Sequence, residues 1–160
     1  MATLEDIVAN YGSGLARVAA SYEADPALQE DLVQDILLAI HGALSSLKRS
    51  ESLAPFVFRI AHNRSVTHVM RQSAQRKREL PEAVDEPADT PEQLLLVDER
   101  SRMVTMAVRR LPLPYRQVMT LVLEELSYAE IAEALGLSIS NVGVRVNRAK
   151  SQLKELLHAP

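Results

Sequence analysis

Residues Leu126 to Leu157 constrain the fold most, because their punctuation fixes two helices and the turn between them. Ser127 and Glu130 have the S-x-x-E spacing of a capping box, in which each side chain bonds the other's backbone N–H, so a helix begins there and carries Ile131, Ala132 and Leu135. Gly136 ends it, Leu137 follows as a buried staple, and Ser138 offers the side-chain oxygen that the free amides of a second helix need. In that second helix Val142, Val146, Ala149, Leu153 and Leu156 recur at spacings of four and three. Asn141, Arg145, Arg148 and Lys150 fall largely outside the apolar stripe.

Such a helix can face a core and a DNA duplex at once. In a helix-turn-helix the N-terminal half of the second helix enters the major groove, where arginines hold phosphates or donate to guanine edges. Arg145 and Arg148 are the leading contact candidates. Ser140 and Asn141 lie near enough to the helix start to reach bases or phosphate, although Asn141 could instead complete the cap. Gly143 costs about 1 kcal/mol relative to alanine inside a helix, so either backbone comes close to something there or the position is merely tolerated. Capped helix pairs of this kind also occur in bundles that never touch DNA, so the rest of the chain must decide.

With 160 residues, 47% of them hydrophobic, the chain has room for one ordinary domain or two small helical ones, and two is the better fit. Cysteine is absent, which excludes disulfides and thiolate metal sites and makes the cytoplasm the default compartment. No apolar run approaches the ~20 residues of a membrane span, and a start carrying Glu5 and Asp6 lacks the basic opening of a secretory signal. The net charge of −3 argues weakly against nucleic acid, but its distribution reverses the inference. Arg59, Arg64, Arg71, Arg76, Lys77 and Arg78 form a basic run without an acid. Glu79, Glu82, Asp85, Glu86, Asp89 and Glu92 then form an acidic run without a base. One such run is most often a solvated face; two opposed blocks are harder to dismiss.

Prolines at 81, 87 and 91 place a connector near residues 75 to 90, with helices on either side. Before it, Leu4, Ile7, Val8, Leu15, Val18 and Ala19 imply one or two helices interrupted by Gly12 and Gly14. Leu32, Val33, Ile36, Leu37 and Ile40 give a helical face ended near Gly42, and a third run spans Phe56 to Met70. After it, Thr90 with Pro91 marks a helix start that should reach Arg110, and a short helix resumes over Tyr115 to Glu125. There is no strand signal and no internal repeat, so the fold class is all-α.

No catalytic constellation is present: the chain has no P-loop and no nucleophile elbow. His41, His62, His68 and His158 show no metal-ligand spacing, so neither a catalytic residue, a metal nor a cofactor is expected. Two further surfaces remain. Asp31, Gln34, Asp35 and Leu38 align at helical spacing opposite the Leu32–Ile40 stripe, and an exposed leucine among acids suits docking by a basic partner as well as it suits a plain solvated face. The basic run after Phe56 and Phe58 suits melted DNA, with Asn63 beside Arg64 able to read a base edge, although the two phenylalanines fit a core equally.

Together these segments resemble an extracytoplasmic-function sigma factor of the sigma-70 family, the two-domain promoter-recognition subunit of bacterial RNA polymerase. Asp31-Leu32-Val33-Gln34-Asp35 is similar to the family's D-L-V-Q-E signature, and Phe56-Val57-Phe58-Arg59-Ile60-Ala61-His62-Asn63 to its W-L-Y-R-I-A-x-N segment. Leu111-Pro112 with Arg116-Gln117-Val118, Ser127-Tyr128-Ala129-Glu130-Ile131-Ala132 and Arg145-Val146-Asn147-Arg148-Ala149-Lys150 resemble the second domain. The resemblance implies a sigma2-like domain over residues 1–74, an acidic flexible linker over 75–90 and a sigma4-like helix-turn-helix domain over 91–160. It implies that Asp31, Gln34, Asp35 and Leu38 dock on the clamp helices of the polymerase's largest subunit. By the same resemblance Lys48, Arg49, Arg59, Asn63, Arg64 and Arg71 serve the minus-10 element, and Ser140, Asn141, Val144, Arg145, Arg148 and Lys150 the minus-35 element. An anti-sigma factor that clamps both domains is the family expectation.

The chain departs from the pattern at identifiable places. Phe56 stands where the family usually has tryptophan, and Leu47 where an aromatic commonly precedes the first DNA-facing loop, which weakens stacking on an open strand. Asn141-Val142-Gly143-Val144-Arg145 replaces the frequent T-V-K-S-R, so a shallower salt dependence is expected, with Val144 free to meet a thymine methyl. Because the sequence stops soon after Leu157, the C-terminal extension that some relatives use for self-regulation is not expected. Two rival functions are an operator-binding helix-turn-helix regulator that needs no polymerase, and a sigma-like decoy that sequesters an inhibitor. A fold in which both halves shared one interior, burying Arg145 and Arg148 or turning Asp31 and Asp35 inward, would contradict the sigma assignment.

Overall fold

A computed structural model describes residues 2–47, 52–78 and 99–158, which form seven α-helices and one turn of 3-10 helix, with no strand among the described residues. Helix α1 (Leu4–Tyr22) opens on a capping box: Thr3 Oγ1 accepts from the Asp6 N–H at 3.2 Å, and the Asp6 carboxylate accepts from the Thr3 N–H at 3.0 Å. It runs straight through Gly12 and Gly14, where the sequence suggested an interruption. Helix α2 (Pro26–Ala43) starts from Asp25, whose carboxylate caps Ala27, with Pro26 in the first turn, and passes into the 3-10 turn Leu44–Ser46. Helix α3 (Leu53–Arg78) is longer than the run from Phe56 to Met70, because nothing breaks it before Pro81, and it extends four residues into the stretch expected as linker. Ile7, Leu15, Val18, Leu32, Ile36, Ile40, Val57 and Ala61 form the buried interior of this three-helix bundle.

The second half comprises α4 (Glu99–Arg109), α5 (Leu113–Leu123), α6 (Tyr128–Leu135) and α7 (Ile139–His158). The expected helix start at Thr90–Pro91 and the acidic block from Glu79 to Glu92 lie outside the described residues. Val108, Leu111, Val118, Leu121, Ile131, Val142, Val146 and Ala149 are buried together. Each large aliphatic side chain so buried contributes about 1.5–3 kcal/mol, so the stripe on α7 easily outweighs the cost of Gly143.

Two helices here end in the same way. After α6 the Leu137 N–H bonds the Ala132 carbonyl across Gly136, whose φ is +69°. After α5 the Leu126 N–H bonds the Leu121 carbonyl across Glu125, whose φ is +65°. Both are Schellman closures with a leucine tucked in behind, but only Gly136 lacks the Cβ that the left-handed region penalises.

The halves also meet each other. Pro55, Phe56, Val57 and Phe58 are all buried, and four successive helical residues point in nearly every direction, so α3 must be covered on more than one side. Its own bundle covers one side and α6 another, while α1 packs against α4 and α5. The expectation of separate bodies gives way to a seam between them. The surfaces of interest nevertheless stay outside: Asp31 and Arg148 are exposed, Asp35 and Arg145 half-buried.

The matched turns make a paired prediction for equilibrium urea unfolding. Glu125→Gly should stabilise the protein by up to about 1 kcal/mol and Gly136→Ala should destabilise it by about 1–2 kcal/mol.

Candidate nucleic-acid interface and docking face

The recognition helix is set by its cap. Ser138 Oγ accepts from the Asn141 N–H at 3.1 Å, so the serine supplies the cap and the exposed Asn141 side chain is left for another use. Asn141, Val144, Arg145 and Arg148 follow at spacings of three and four, which puts them on one face, opposite buried Val142, Val146 and Ala149. Ser140 is exposed at its edge, and Val144 keeps 48% of its surface. Lys150 is exposed too, but it lies nine residues, two and a half turns, beyond Asn141 and so on the other side of the helix. A Cβ on Gly143 would meet only the Tyr128 ring, at 3.9 Å, an ordinary contact. The glycine is tolerated there rather than required.

On α3 the basic candidates separate into two groups. Arg59, half-buried, and Asn63, exposed, stand one turn apart. Arg64 and Arg71 face α2 instead and share a small cleft with Asp31, Asp35, Thr67 and His68. Arg64 is already engaged, its Nε and Nη2 donating to the two Asp35 oxygens at 2.9 and 2.6 Å, and this pairing raises the guanidinium pKa. Thus the structure joins a residue expected to hold DNA to one expected to hold polymerase. One turn on, His68 Nε2 lies 2.7 Å from Glu23 Oε1, a second tie across the bundle. Lys48 and Arg49 lie outside the described residues. Phe56 and Phe58 are core residues, 6% and 3% exposed, and Phe58 meets Tyr11 edge-on at 5.9 Å, so neither ring is available to stack on a base.

The acidic face of α2 is coherent. Asp31, Gln34, Asp35 and Leu38 occupy one side, with Leu32, Ile36 and Ile40 buried on the other, and Leu38 is 71% exposed. Leu38 therefore belongs to the open face of α2 and not to the core. His62 is half-buried, and burial lowers its pKa. Among the described residues no group of three His, Asp or Glu side chains could hold a metal ion, and no helix is long and apolar enough to cross a membrane.

What sequence reasoning missed is the polar seam. Arg17 with Glu124, Arg116 with Tyr22, and Arg109 with the Ala20 carbonyl pair residues 89 to 107 positions apart, and no local pattern marks them.

A capped helix with an outward-facing polar side thus stands beside a bundle with a distinct acidic face, the layout of a helix-turn-helix protein. The sequence families agree. The model of sigma-70 region 2 matches residues 7–75, and that of sigma-70, region 4, matches residues 101–153. The RNA polymerase sigma factor YlaC of Bacillus subtilis is 29% identical over 130 residues, covering 79% of this chain and 75% of that protein. The ECF RNA polymerase sigma factor SigE of Mycolicibacterium smegmatis is 26% identical over 161 residues, covering 98% of this chain and 62% of its own. Among solved structures, CnrH in complex with the cytosolic domain of CnrY superposes with a TM-score of 0.72 at 25% identity, over 98% of this chain and 88% of that one. The chain belongs to the sigma-70 family and is of the extracytoplasmic-function type, with region 2 in the first half and region 4 in the second. Its role is to direct promoter-specific transcription initiation.

Because both Arg64 and Asp35 side chains remain 40% exposed, water screens their attraction. A double-mutant cycle of Arg64→Ala and Asp35→Ala, read by urea unfolding, should return a coupling no larger than about 1 kcal/mol.

Proposed function

We propose that the chain attaches to core RNA polymerase through Asp31, Gln34, Asp35 and Leu38, with residues 1–74 as the docking and minus-10 domain. On α3, Arg59 and Asn63, together with Lys48 and Arg49, attend the minus-10 element, while Arg64 and Arg71 border the docking face. Residues 91–160 form the minus-35 domain, in which Asn141, Val144, Arg145 and Arg148 enter the major groove and Ser140 approaches from the helix start. Lys150, on the far side of α7, is limited to a phosphate at the flank. Between α3 and the second half the sequence carries the acidic block from Glu79 to Glu92, which connects the two domains along the chain. The observation that carries this reading is the exposed polar face of α7, fixed by the Ser138 cap and backed by a buried aliphatic stripe, within the half matched by sigma-70 region 4. CnrH is in complex with the cytosolic domain of CnrY in its solved structure, which supports a protein partner here too, and an anti-sigma factor that clamps both domains is the regulatory partner this reading provides for.

Two substitutions separate the surfaces. Asp35→Arg should weaken binding to core polymerase at least tenfold in a titration, about 1.4 kcal/mol, by placing a cation where a cation must dock, while leaving duplex binding intact. Arg148→Ala should do the reverse, lowering affinity for minus-35 duplex and reducing the slope of log affinity against log salt by about 1. An Asp35→Arg protein with unchanged polymerase affinity would remove the docking assignment. An operator-binding regulator would bind its duplex equally well with core polymerase absent and would not support transcription when polymerase is added.

A further inference from the structure

The outward side of α7 carries a ridge that mirrors its buried stripe. Val142, Val146, Ala149 and Leu153 are buried at spacings of four, three and four. Ser140, Val144, Asn147 and Ser151 repeat those spacings two residues earlier, which sets them about 200° away around the helix, and all four are exposed. This ridge is the part of α7 farthest from the core of its own half.

Its chemistry differs from that of its flanks. The ridge is short and uncharged, whereas Arg148 stands about 100° to one side of Asn147, Lys150 about 60° to the other, and Lys154 about two turns on and almost in line. Arg148, Lys150 and Lys154 are exposed, and none of them enters an ion pair among the described residues. An uncharged ridge between cations matches the cross-section of a major groove, where base edges form the floor and phosphates line both walls. Short side chains let the helix sink toward the floor while long cationic ones reach the walls.

Asn147 is the member of that ridge whose carboxamide holds an acceptor and a donor side by side. Nothing in the fold employs it. Among the described residues the Asn147 side chain makes no hydrogen bond, in contrast to Asn10, whose Nδ2 donates to the Asp6 carbonyl one turn back. Asparagine is also a poor helix former, and here it sits in the middle of α7, away from both ends, where no cap can use it.

We infer that Asn147 is a specificity-determining residue for the upstream promoter element, reading an adenine through paired hydrogen bonds to its N6 and N7 in the major groove. The inference rests on the minus-35 reading of α7 given above and extends it to the identity of a base. Val144 lies about 4.5 Å nearer the helix start, at 1.5 Å per residue, against a rise of about 3.4 Å per base. A thymine methyl under Val144 and an adenine under Asn147 therefore belong to base pairs about one or two steps apart. Lys150, with Lys154 beyond it, meets phosphates on the wall opposite the one that Arg148 reaches.

The test uses the full-length protein bound to core polymerase, selecting duplexes from a pool randomised through the minus-35 region so that base preference is read position by position. The parent should prefer adenine at one position by at least about fivefold. Asn147→Ala should lose that preference and keep the others, with the slope of log affinity against log salt unchanged because no charge is removed. Asn147→Arg should move the preference at the same position to guanine, whose O6 and N7 suit a guanidinium, an outcome that a merely structural role cannot produce. Lys154→Ala should instead weaken all sequences alike and lower the salt slope by about 1. Asn147→Ala with every preference retained, or with all duplexes weakened equally, would overturn the inference, as would Asn147→Arg with its adenine preference intact. A parent without any base preference in this region would overturn the minus-35 reading itself. Weakened binding in Arg148→Ala beside an inert Asn147→Ala would leave that reading standing and remove Asn147 from it.

Discussion

Helix α1 is the element on which the rest depends, because it is buried from two directions. Ile7, Leu15 and Ala19 are wholly enclosed and Val18 and Tyr22 nearly so, in a helix that packs against α2 and α3 of its own bundle and against α4 and α5 of the other half. Short helices do not hold their shape alone, and most of their stability comes from the neighbour that covers the apolar face. A helix serving two bodies thus couples them, and the way it does so is divided chemically. Toward its own bundle the contacts are mainly apolar, with Tyr11 edge-on to Phe58 and one polar tie, Glu23 with His68, at the helix end. Toward the second half arginines dominate: Arg17 on Glu124, Arg116 on Tyr22, and Arg109 at the Ala20 carbonyl. Burial pushes the Tyr22 phenol up to about 12, against the opposing pull of Thr120 and Arg116, which marks how far this side of the helix is removed from water.

That division assigns different physics to different parts of the function. The aliphatic stripes position surfaces: the stripe of α2 turns Asp31, Gln34 and Leu38 outward, and the stripe of α7 does the same for Asn141, Val144 and Arg148. Two ion pairs lie beside these surfaces or between the halves. Arg64 holds Asp35 at the edge of the docking face, and Arg17 holds Glu124 between the halves.

Local features were legible in the sequence because they are decided within four or five residues. The Ser127–Glu130 capping box exists as written, with bonds of 2.9 and 3.1 Å, and Gly136 ends its helix in the left-handed conformation. The buried stripe Val142, Val146, Ala149 and Leu153 followed from spacing alone. Failures came where a distant partner decides. Gly14 looked like a helix break but is a clearance for Glu124, 110 positions away, and no periodicity could reveal that. Arg64 looked like a free cation until α3 laid it against Asp35. Glu125 carries a left-handed backbone that its identity does not advertise, imposed by the closure between Leu121 and Leu126. For the same reason Phe56 and Phe58, plausible as stacking platforms by composition, are core residues once α6 covers α3.

The central claim is that one chain reads two promoter elements with two separate helical surfaces while attached to polymerase. Sequencing of transcript start sites from genomic DNA, using core RNA polymerase with and without the purified protein, tests it most directly. The account predicts a set of start sites that appears only with the protein and shares two upstream sequence blocks whose centres lie about 25 base pairs apart. Start sites indistinguishable from those of core polymerase alone, or sharing a single block, would contradict it.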